Sequence, residues 1–357
     1  METVERLQKE IDGRCECALI TDSVNRRYFT KMKSSAGTLV VFPQKAYLII
    51  DFRYIEKARK TAKGCEVILQ QSGGGIYNQI DELCEKQGAK SIHIESESVT
   101  VSDLEHYREK LNEEIVADDT LSKIIKNIRV VKTPEEIEKI AQAQRIAEKG
   151  FEHMLEFIRP GKTEKEIQLE LDFFMLQNGA EALSFDTIAL SGKNTSLPHG
   201  VPSDKKVEKG EFVLLDFGAV VDGWHSDMTR TVAVGEPDEE MKRVYETVLD
   251  AQLSALEKVS AGMTGSEFDK IARDVIENAG YGENFGHSLG HGVGMEIHES
   301  PFGSPSGKEI LQENSVITVE PGIYLEDKFG VRIEDFVVVK KNGCENLTKA
   351  EKKLIVL

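Results

Sequence analysis

The sequence predicts two domains of different class, an α/β domain with a mixed sheet followed by an α+β domain. The chain has 357 residues, which is enough for about two domains. Short β-rich runs alternate with helical patterns up to about residue 125, whereas long amphipathic helices and hairpin-like segments follow residue 133. We therefore place the domains at 1–125 and 134–357, with a linker at 126–133.

Five short apolar runs in the first domain are predicted strands. They read CALIT, GTLVVF, AYLIID, CEVILQ and SIHIES. Between and after them, FRYIEKARKTA, IYNQIDELCEKQG and SDLEHYREKL have the apolar period of helices. The GGG run at 73–75 is interpreted as loop glycines, and His93 and His106 as incidental. No functional site is predicted in this domain.

Capping signals define the first helices of the second domain. The segment TPEE at 133–136 combines an N-cap threonine, a proline at N1 and a capping-box glutamate, and its helix is expected to run to about Phe157. A second capping box, TEKE at 163–166, begins a helix that ends near Asn178. Amphipathic helices are predicted at 238–259 and 265–279, and β structure at 211–234 and 315–340.

Composition limits the classes of partner. A net charge of -17 argues against nucleic acid or an anionic membrane, because phosphates bind to basic surfaces. No apolar run approaches the ~18 residues of a membrane span. The charged segment METVERLQKE lacks the apolar region of a secretory signal, and the five cysteines are scattered. We expect a cytoplasmic protein with reduced thiols.

Two aspartates flank a predicted hairpin in FVLLDFGAVVDGWHSDMTRT. If Val221 and Asp222 form the turn, Asp216 lies opposite Asp227; if Asp222 and Gly223 form it, the favoured type I′ pair, the two acids are diagonal neighbours. Both registers place the acids on one face, where like charges repel. A buried carboxylate needs a counter-charge or a proton. The hairpin alone leaves open a cation site, a solvated face or a turn-forming role.

A glycine-rich segment, GHSLGHGVGMEIHESP, contains His287, His291 and His298. Its glycines disfavour a helix, so His287 and His291 are not the paired ligands of a zincin helix. We expect extended or looped backbone with little bulk around the imidazoles. A phosphate-binding loop is disfavoured, because neither this segment nor SGKNTS at 191–196 has the required spacing.

A second pair of acids is predicted in VITVEPGIYLEDKFGVRIEDFVVV. A hairpin centred on Asp327 puts Glu320 opposite Glu334, with Arg332 on the same face as Glu334. Four carboxylates and one imidazole suit two divalent ions better than one tetrahedral zinc. Two such ions, about 3.5–4 Å apart, activate a water and polarise a carbonyl. Mn²⁺ or Co²⁺ is favoured, with Zn²⁺ and Fe²⁺ as alternatives.

These motifs resemble the pita-bread metallopeptidases, which include methionine aminopeptidase, aminopeptidase P and Xaa-Pro dipeptidase (prolidase). The resemblance covers roughly 134–357 through LDFGAVVDGWHSDMTRT, GHGVGMEIHESP, VEPGIYL and GVRIEDFVVV. The first half, as in NRRYFTKMKSSAGTLVVF, is similar to the N-terminal domain of the prolidase and aminopeptidase P branch. Methionine aminopeptidases lack that domain, which makes them the weaker match. The implied fold is the creatinase/aminopeptidase-like pita-bread fold.

The resemblance implies five metal ligands. They are Asp216, Asp227, His291, Glu320 and Glu334. Asp216 would chelate one ion, Asp227 and Glu334 would bridge, and His291 with Glu320 would hold the other ion. Glu320 would also accept the proton of the attacking hydroxide as general base.

The resemblance also implies residues that contact substrate. His199 and His298 would hydrogen-bond the scissile amide and stabilise the charge on its oxygen. His287 and Arg332 would line the site, and Arg332 could pair with Glu334 or Asp216. Trp224 stands where the family usually has tyrosine, which could alter the pocket wall.

The implied activity is that of a cytoplasmic dinuclear-metal Xaa-Pro dipeptidase, which would use a metal-bridging hydroxide. Its substrate would be a peptide with proline at the second position, and the resemblance implies a homodimer. Aminopeptidase P, acting on longer peptides, is the alternative within the same branch. A non-metal creatinase-like hydrolase and a binding protein without catalysis are further alternatives, and both predict missing ligands.

Overall fold

The computed structural model describes residues 2–73 and 75–357, and the chain divides into two compact units between Arg129 and Val130. Gly74, in the predicted glycine loop, lies outside the described residues. Among the residues described, no helix combines the length and apolar character needed to cross a membrane. All five cysteines are free.

The first unit contains a six-stranded sheet in the order β4-β3-β2-β1-β5-β6. The strands are β1 Cys17–Ile20, β2 Thr38–Val41, β3 Ala46–Ile50, β4 Glu66–Leu69, β5 Ser91–Ile94 and β6 Glu114–Val116. The helices are α1 Thr3–Ile11, α2 Ser23–Thr30, α3 Ile55–Thr61, α4 Gly75–Gln87, α5 Val101–Lys110 and α6 Thr120–Val130. Strand β1 runs antiparallel to β2 and parallel to β5, so the predicted mixed sheet is confirmed.

Four α-helices belong to the second unit. They are α7 Pro134–Phe157, α8 Glu164–Gln177, α9 Glu239–Lys258 and α10 Gly265–Asn278. Both predicted capping boxes are present, since Thr133 and Thr163 accept hydrogen bonds from the third residue of α7 and of α8. The four predicted helices of this unit are confirmed within about one residue at each end.

The strands of the second unit form four small sheets. The first strands are β7 Ala182–Leu183, β8 Ile188–Ser191, β9 Glu211–Phe217, β10 Ala219–Val221, β11 Trp224–His225 and β12 Met228–Val234. The others are β13 Gly290–Gly292, β14 Glu299–Gly303, β15 Val316–Val319, β16 Gly322–Leu325, β17 Phe329–Arg332, β18 Asp335–Lys340 and β19 Gly343–Asn346. The sheets have the orders β11-β10-β7, β12-β9-β8, β14-β13-β15-β18-β19 and β16-β17.

Strand β9 shows how the core orients the candidate site. Its residues Val213, Leu215 and Phe217 belong to a buried cluster that includes side chains of α7 and α8. Burial of each such side chain contributes roughly 1.5–3 kcal/mol. Leu214 and Asp216 have the opposite parity and therefore face the other side of the strand. The apolar face thus fixes the direction in which Asp216 points.

Candidate metal centre and its cavity

The first predicted hairpin has the register of the Asp222–Gly223 turn. Both turn residues have positive φ, 51° and 84°, as a type I′ turn requires. In the ladder between β9 and β12, Asp216 pairs with Thr229, two residues beyond Asp227. Asp216 and Asp227 are therefore diagonal neighbours, and this alternative is confirmed over the directly opposed pair.

The second predicted hairpin is also confirmed. Strand β16 pairs with β17 from Gly322 opposite Arg332 down to the turn, and this register is centred on Asp327. Asp327 has a φ of 57°. If this register is extended two residues beyond the pair of Gly322 and Arg332, Glu320 lies opposite Glu334. The turn thus brings together two acids that are 14 positions apart.

His291 lies on β13, between two glycines, and the segment is extended as expected. A Cβ atom on Gly290 would lie 2.1 Å from the carbonyl oxygen of Thr318, and one on Gly292 would lie 2.3 Å from that of Ser300. Real Cβ contacts are never so short, so both positions require glycine. The glycines let neighbouring backbone approach the strand that presents the imidazole.

The five predicted ligands line one cavity of about 770 Å³. The Nε2 atom of His291 lies 3.4 Å from Oε1 of Glu320 and 3.6 Å from Oδ2 of Asp227. Potential ligand atoms of Asp227, His291 and Glu334 all lie within 4.8 Å of one another. Asp216 lines the same cavity. The structure therefore brings together all five side chains that the sequence singled out.

Burial and mutual repulsion determine the protonation of the cluster. Burial, followed by the neighbouring carboxylates, raises the pKa of Asp227 and of Glu334 well above its usual range. Burial raises the pKa of Glu320 to about 8. Burial, and then the nearby His298, lower the pKa of His291 to about 4. These carboxylates are costly to ionise together without a cation.

The donor set fits divalent cations. Oδ1 of Asp216 is buried and accepts no hydrogen bond from the described residues. Nδ1 of the neutral His291 donates to a backbone carbonyl at 3.1 Å, so Nε2 turns a lone pair toward the carboxylates. Acceptors that face acceptors in this way need a cation or a proton between them. Four carboxylates and one imidazole suit hard or borderline divalent ions.

A hydrogen-bonded chain supports the cluster from one side. Arg332 donates through Nη2 to Asp216 at 2.5 Å, through Nε to Thr229 at 3.0 Å and through Nη1 to the Tyr324 hydroxyl at 2.8 Å. The Tyr324 hydroxyl is 2.9 Å from Nε2 of His287. Burial lowers the pKa of His287 to about 4, and Nδ1 of the neutral ring donates to the Ser288 carbonyl at 2.8 Å, so Nε2 accepts the Tyr324 proton. The sequence left open whether Arg332 pairs with Glu334 or Asp216, and in the structure it pairs with Asp216.

His199 and His298 are exposed on the same cavity. The ring of His298 stands edge-on to that of His291, with 4.4 Å between their centroids. Both rings can therefore meet a peptide that enters the cavity. Trp224 is buried in β11 and is not among the lining residues, so its indole does not form the pocket wall.

Three supporting residues were not predicted from the sequence. The Thr229 hydroxyl donates to Glu334 at 2.8 Å, and the Thr318 hydroxyl donates to Glu320 at 3.0 Å. Each threonine is two strand positions from a predicted ligand, so alternation along the strand was an available signal. Tyr324 lies diagonally across the β16–β17 hairpin from Arg332, so the hairpin register also signalled that contact, whereas its other partner, His287, comes from a separate segment.

The sequence matches metallopeptidase family M24 over residues 138–341 and the creatinase/prolidase N-terminal domain over residues 4–131. The chain therefore belongs to metallopeptidase family M24, whose activity depends on a divalent metal centre. The predicted fold class and the resemblance to pita-bread metallopeptidases are confirmed.

Similar proteins cover both units of the chain. An Xaa-Pro dipeptidase of Pyrococcus furiosus is 40% identical and covers 99% of each chain. The structure of an Xaa-Pro dipeptidase from Bacillus anthracis is 42% identical, with a TM-score of 0.95 over 100% of this chain and 99% of that one. That of an X-Pro aminopeptidase from Thermotoga maritima is 39% identical, with a TM-score of 0.90 over 99% and 100%.

Proposed function

We propose that this chain is a metal-dependent Xaa-Pro dipeptidase, which hydrolyses the bond between an N-terminal residue and proline. The observation that carries the proposal is the convergence of four carboxylates and His291 on one cavity of an M24 domain. Relatives named Xaa-Pro dipeptidase match the chain over almost its entire length. An Xaa-Pro bond is a tertiary amide without an N–H, which sets it apart from ordinary peptide bonds.

The proposed ligands of two divalent ions are the five side chains of the cluster. They are Asp216, Asp227, His291, Glu320 and Glu334. When bound, such ions lower the pKa of a water molecule and polarise a carbonyl group. The oxygen-rich set favours Mn²⁺ or Co²⁺, with Zn²⁺ and Fe²⁺ as the alternatives.

Glu320 is the proposed general base. Its Oε1 accepts the Thr318 hydroxyl, and this contact fixes the carboxylate in the cavity so that it can receive a proton from the attacking water. His199 and His298 are proposed to donate hydrogen bonds to the scissile amide, where negative charge develops on the carbonyl oxygen. Both imidazoles are exposed to the cavity, as this role requires.

Arg332 and His287 are proposed to contact the peptide and to organise the cavity wall. The guanidinium group of Arg332 orients Asp216, and its bond to the Tyr324 hydroxyl connects it to His287. Because these side chains are already held by the protein, little entropy is lost when a substrate binds against them.

Hydrolysis of Ala-Pro, Ala-Pro-Ala and Ala-Ala by protein loaded with Mn²⁺ or Co²⁺ tests the proposal. We expect cleavage of Ala-Pro and little cleavage of Ala-Ala. Strong cleavage of the tripeptide alone would instead identify an aminopeptidase P, the second candidate, which the similarity to the Thermotoga maritima structure favours. Less than about one equivalent of metal, with activity indifferent to added ions, would favour a non-metal hydrolase or a binding protein.

An Asp227→Asn variant should lose metal and turnover together, because a neutral amide cannot replace the proposed bridging carboxylate. Asp222→Asn is the matched control, since Asp222 is exposed and asparagine tolerates its positive φ of 51°. The control should keep the native metal content, measured by elemental analysis, and the native rate of Ala-Pro hydrolysis. Full activity of Asp227→Asn would remove this residue from the ligand set.

We also propose a cytoplasmic location and a homodimer. The five free cysteines are typical of a reducing compartment. The dimer is suggested by the family resemblance alone. Light scattering should give about twice the chain mass of 39.8 kDa, and a monomeric mass would contradict the dimer.

A further inference from the structure

Asp186 is the one carboxylate among the described cavity-lining residues that does not belong to the proposed ligand set. It lies on the segment between β7 and β8 and is exposed. It forms no hydrogen bond or ion pair with the described part of the chain. Its negative charge is therefore free to interact with a molecule in the cavity.

The backbone around Asp186 is fixed near the strand that carries the proposed metal ligand Asp216. Ile188, two residues further on, pairs with Asp216 in the ladder between β8 and β9. Two residues span at most about 7 Å, so Asp186 lies within that distance of the ladder. The intervening Thr187 is buried, and its hydroxyl donates to Asp172 of α8 at 2.5 Å. These contacts fix the backbone next to Asp186, which lines the same cavity as the proposed ligands.

The cavity lining also contains apolar side chains that are open to solvent. Val201 is 83% exposed and Phe302 is 42% exposed, and Phe185 directly precedes Asp186 in the chain. Lysine and arginine side chains pack their methylene stems on apolar surface and keep their charged ends in water. An apolar lining with one unpaired carboxylate matches that combination.

We propose that Asp186 makes the protein prefer Xaa-Pro peptides in which Xaa is lysine or arginine. This inference rests on the proposed function, because it assigns the variable residue of that substrate. Proline carries no charge, so in a dipeptide Xaa has the only side chain that can bring a cation to Asp186. The α-ammonium group occurs in every such substrate and cannot produce a preference among them.

The test compares kcat/KM for Lys-Pro and norleucine-Pro, which share the aliphatic stem and differ by the ammonium group. The native protein should prefer Lys-Pro by about twofold to fivefold at low salt, the effect of one exposed ion pair. The preference should fall toward one at high ionic strength because salt screens an exposed pair.

Variants of Asp186 extend the test. Asp186→Asn should abolish the preference by lowering kcat/KM for Lys-Pro more than for norleucine-Pro, and Asp186→Lys should shift the preference to Glu-Pro. Asp250→Asn, an exposed position on α9 outside the cavity lining, makes the same charge change and should keep the native preference.

Equal rates for the two dipeptides in the native protein would overturn the inference while leaving the proposed function intact. An equal loss on both substrates in Asp186→Asn would also overturn it, since it would indicate contact with the common α-ammonium group. No hydrolysis of either dipeptide would overturn the inference and the proposed function together.

Discussion

Removal of divalent cations is expected to make the stability contributed by the carboxylate cluster fall as pH rises. Burial raises the pKa of Glu320 from 4.5 to about 8, and the pKa values of Asp227 and Glu334 are raised as well. At a pH between the unfolded-state and folded-state pKa values of these groups, the chelator-treated folded protein binds more protons than the unfolded chain. This contribution is therefore fully present below the unfolded pKa and is lost as pH rises through the folded pKa.

The magnitude follows from Glu320 alone. A folded pKa of about 8 against 4.5 for the unfolded chain makes its contribution fall by about 2 kcal/mol between pH 6 and pH 8. For a unit of this size, that corresponds to a lowering of the unfolding midpoint by roughly 4–8 °C. Bound cations need ionised carboxylates, so they compete with these protons and stabilise the protein more at pH 8 than at pH 6.

Thermal unfolding of chelator-treated and Mn²⁺-loaded protein from pH 6 to pH 8 measures this effect. Glu95 is a buried carboxylate of the first unit with a raised pKa, so it adds to the pH dependence of both preparations. Its effect largely cancels when the two unfolding midpoints are subtracted. Glu320→Gln should remove the Glu320 share of the slope. A cation-induced stabilisation that stays constant or shrinks with rising pH would refute the reasoning.

Three further substitutions probe the supporting structure. Tyr324→Phe should lower kcat/KM for Ala-Pro by roughly 10–100-fold with unchanged metal content, because the link from Arg332 to His287 is lost; an unchanged rate would contradict this role. Thr229→Val should weaken Mn²⁺ binding, measured by calorimetry, by about 10–100-fold, because Glu334 loses its hydroxyl donor; native affinity would contradict it. Gly292→Ala should lower the unfolding midpoint and the metal content, because its Cβ would lie 2.3 Å from a backbone carbonyl; unchanged melting would show that the strands can separate there.

The register of the second ligand hairpin was predicted, and the first was left between two registers of which the favoured type I′ turn is the one observed, because turn chemistry and strand alternation are local. Asp222 and Gly223 accept positive φ, which fixes one register, and the turn at Asp327 fixes the other. Each turn then determines which acids share a face. The capping boxes of α7 and α8 are equally local, and they gave the starts of both helices.

Elements and contacts that depend on tertiary packing were not predicted. Helices α1, α2 and α6 and strand β6 were absent from the prediction. The patterns of α2 and β6 are short and become clear only with the sheet that buries them, whereas Val4, Leu7 and Ile11 of α1 have helical spacing and were an available signal. The sequence also left the partner of Arg332 open between Glu334 and Asp216. That choice depends on where β17 lies relative to β9, which neither strand encodes alone.

The placement of the four acids explains how one domain can hold so many buried carboxylates. Asp216 is the second-last residue of β9, two residues before Gly218, where the chain passes to the sheet of β10. Asp227 lies between β11 and β12, Glu320 between β15 and β16, and Glu334 between β17 and β18, and each pair of strands belongs to two different sheets. Three of the acids therefore lie between ladders, and Asp216 lies near the end of one, on the face of β9 opposite its apolar cluster. The carboxylates can therefore converge on a cavity without displacing the apolar clusters that hold the strands in place. The repulsion between them remains, and bound divalent cations would offset it.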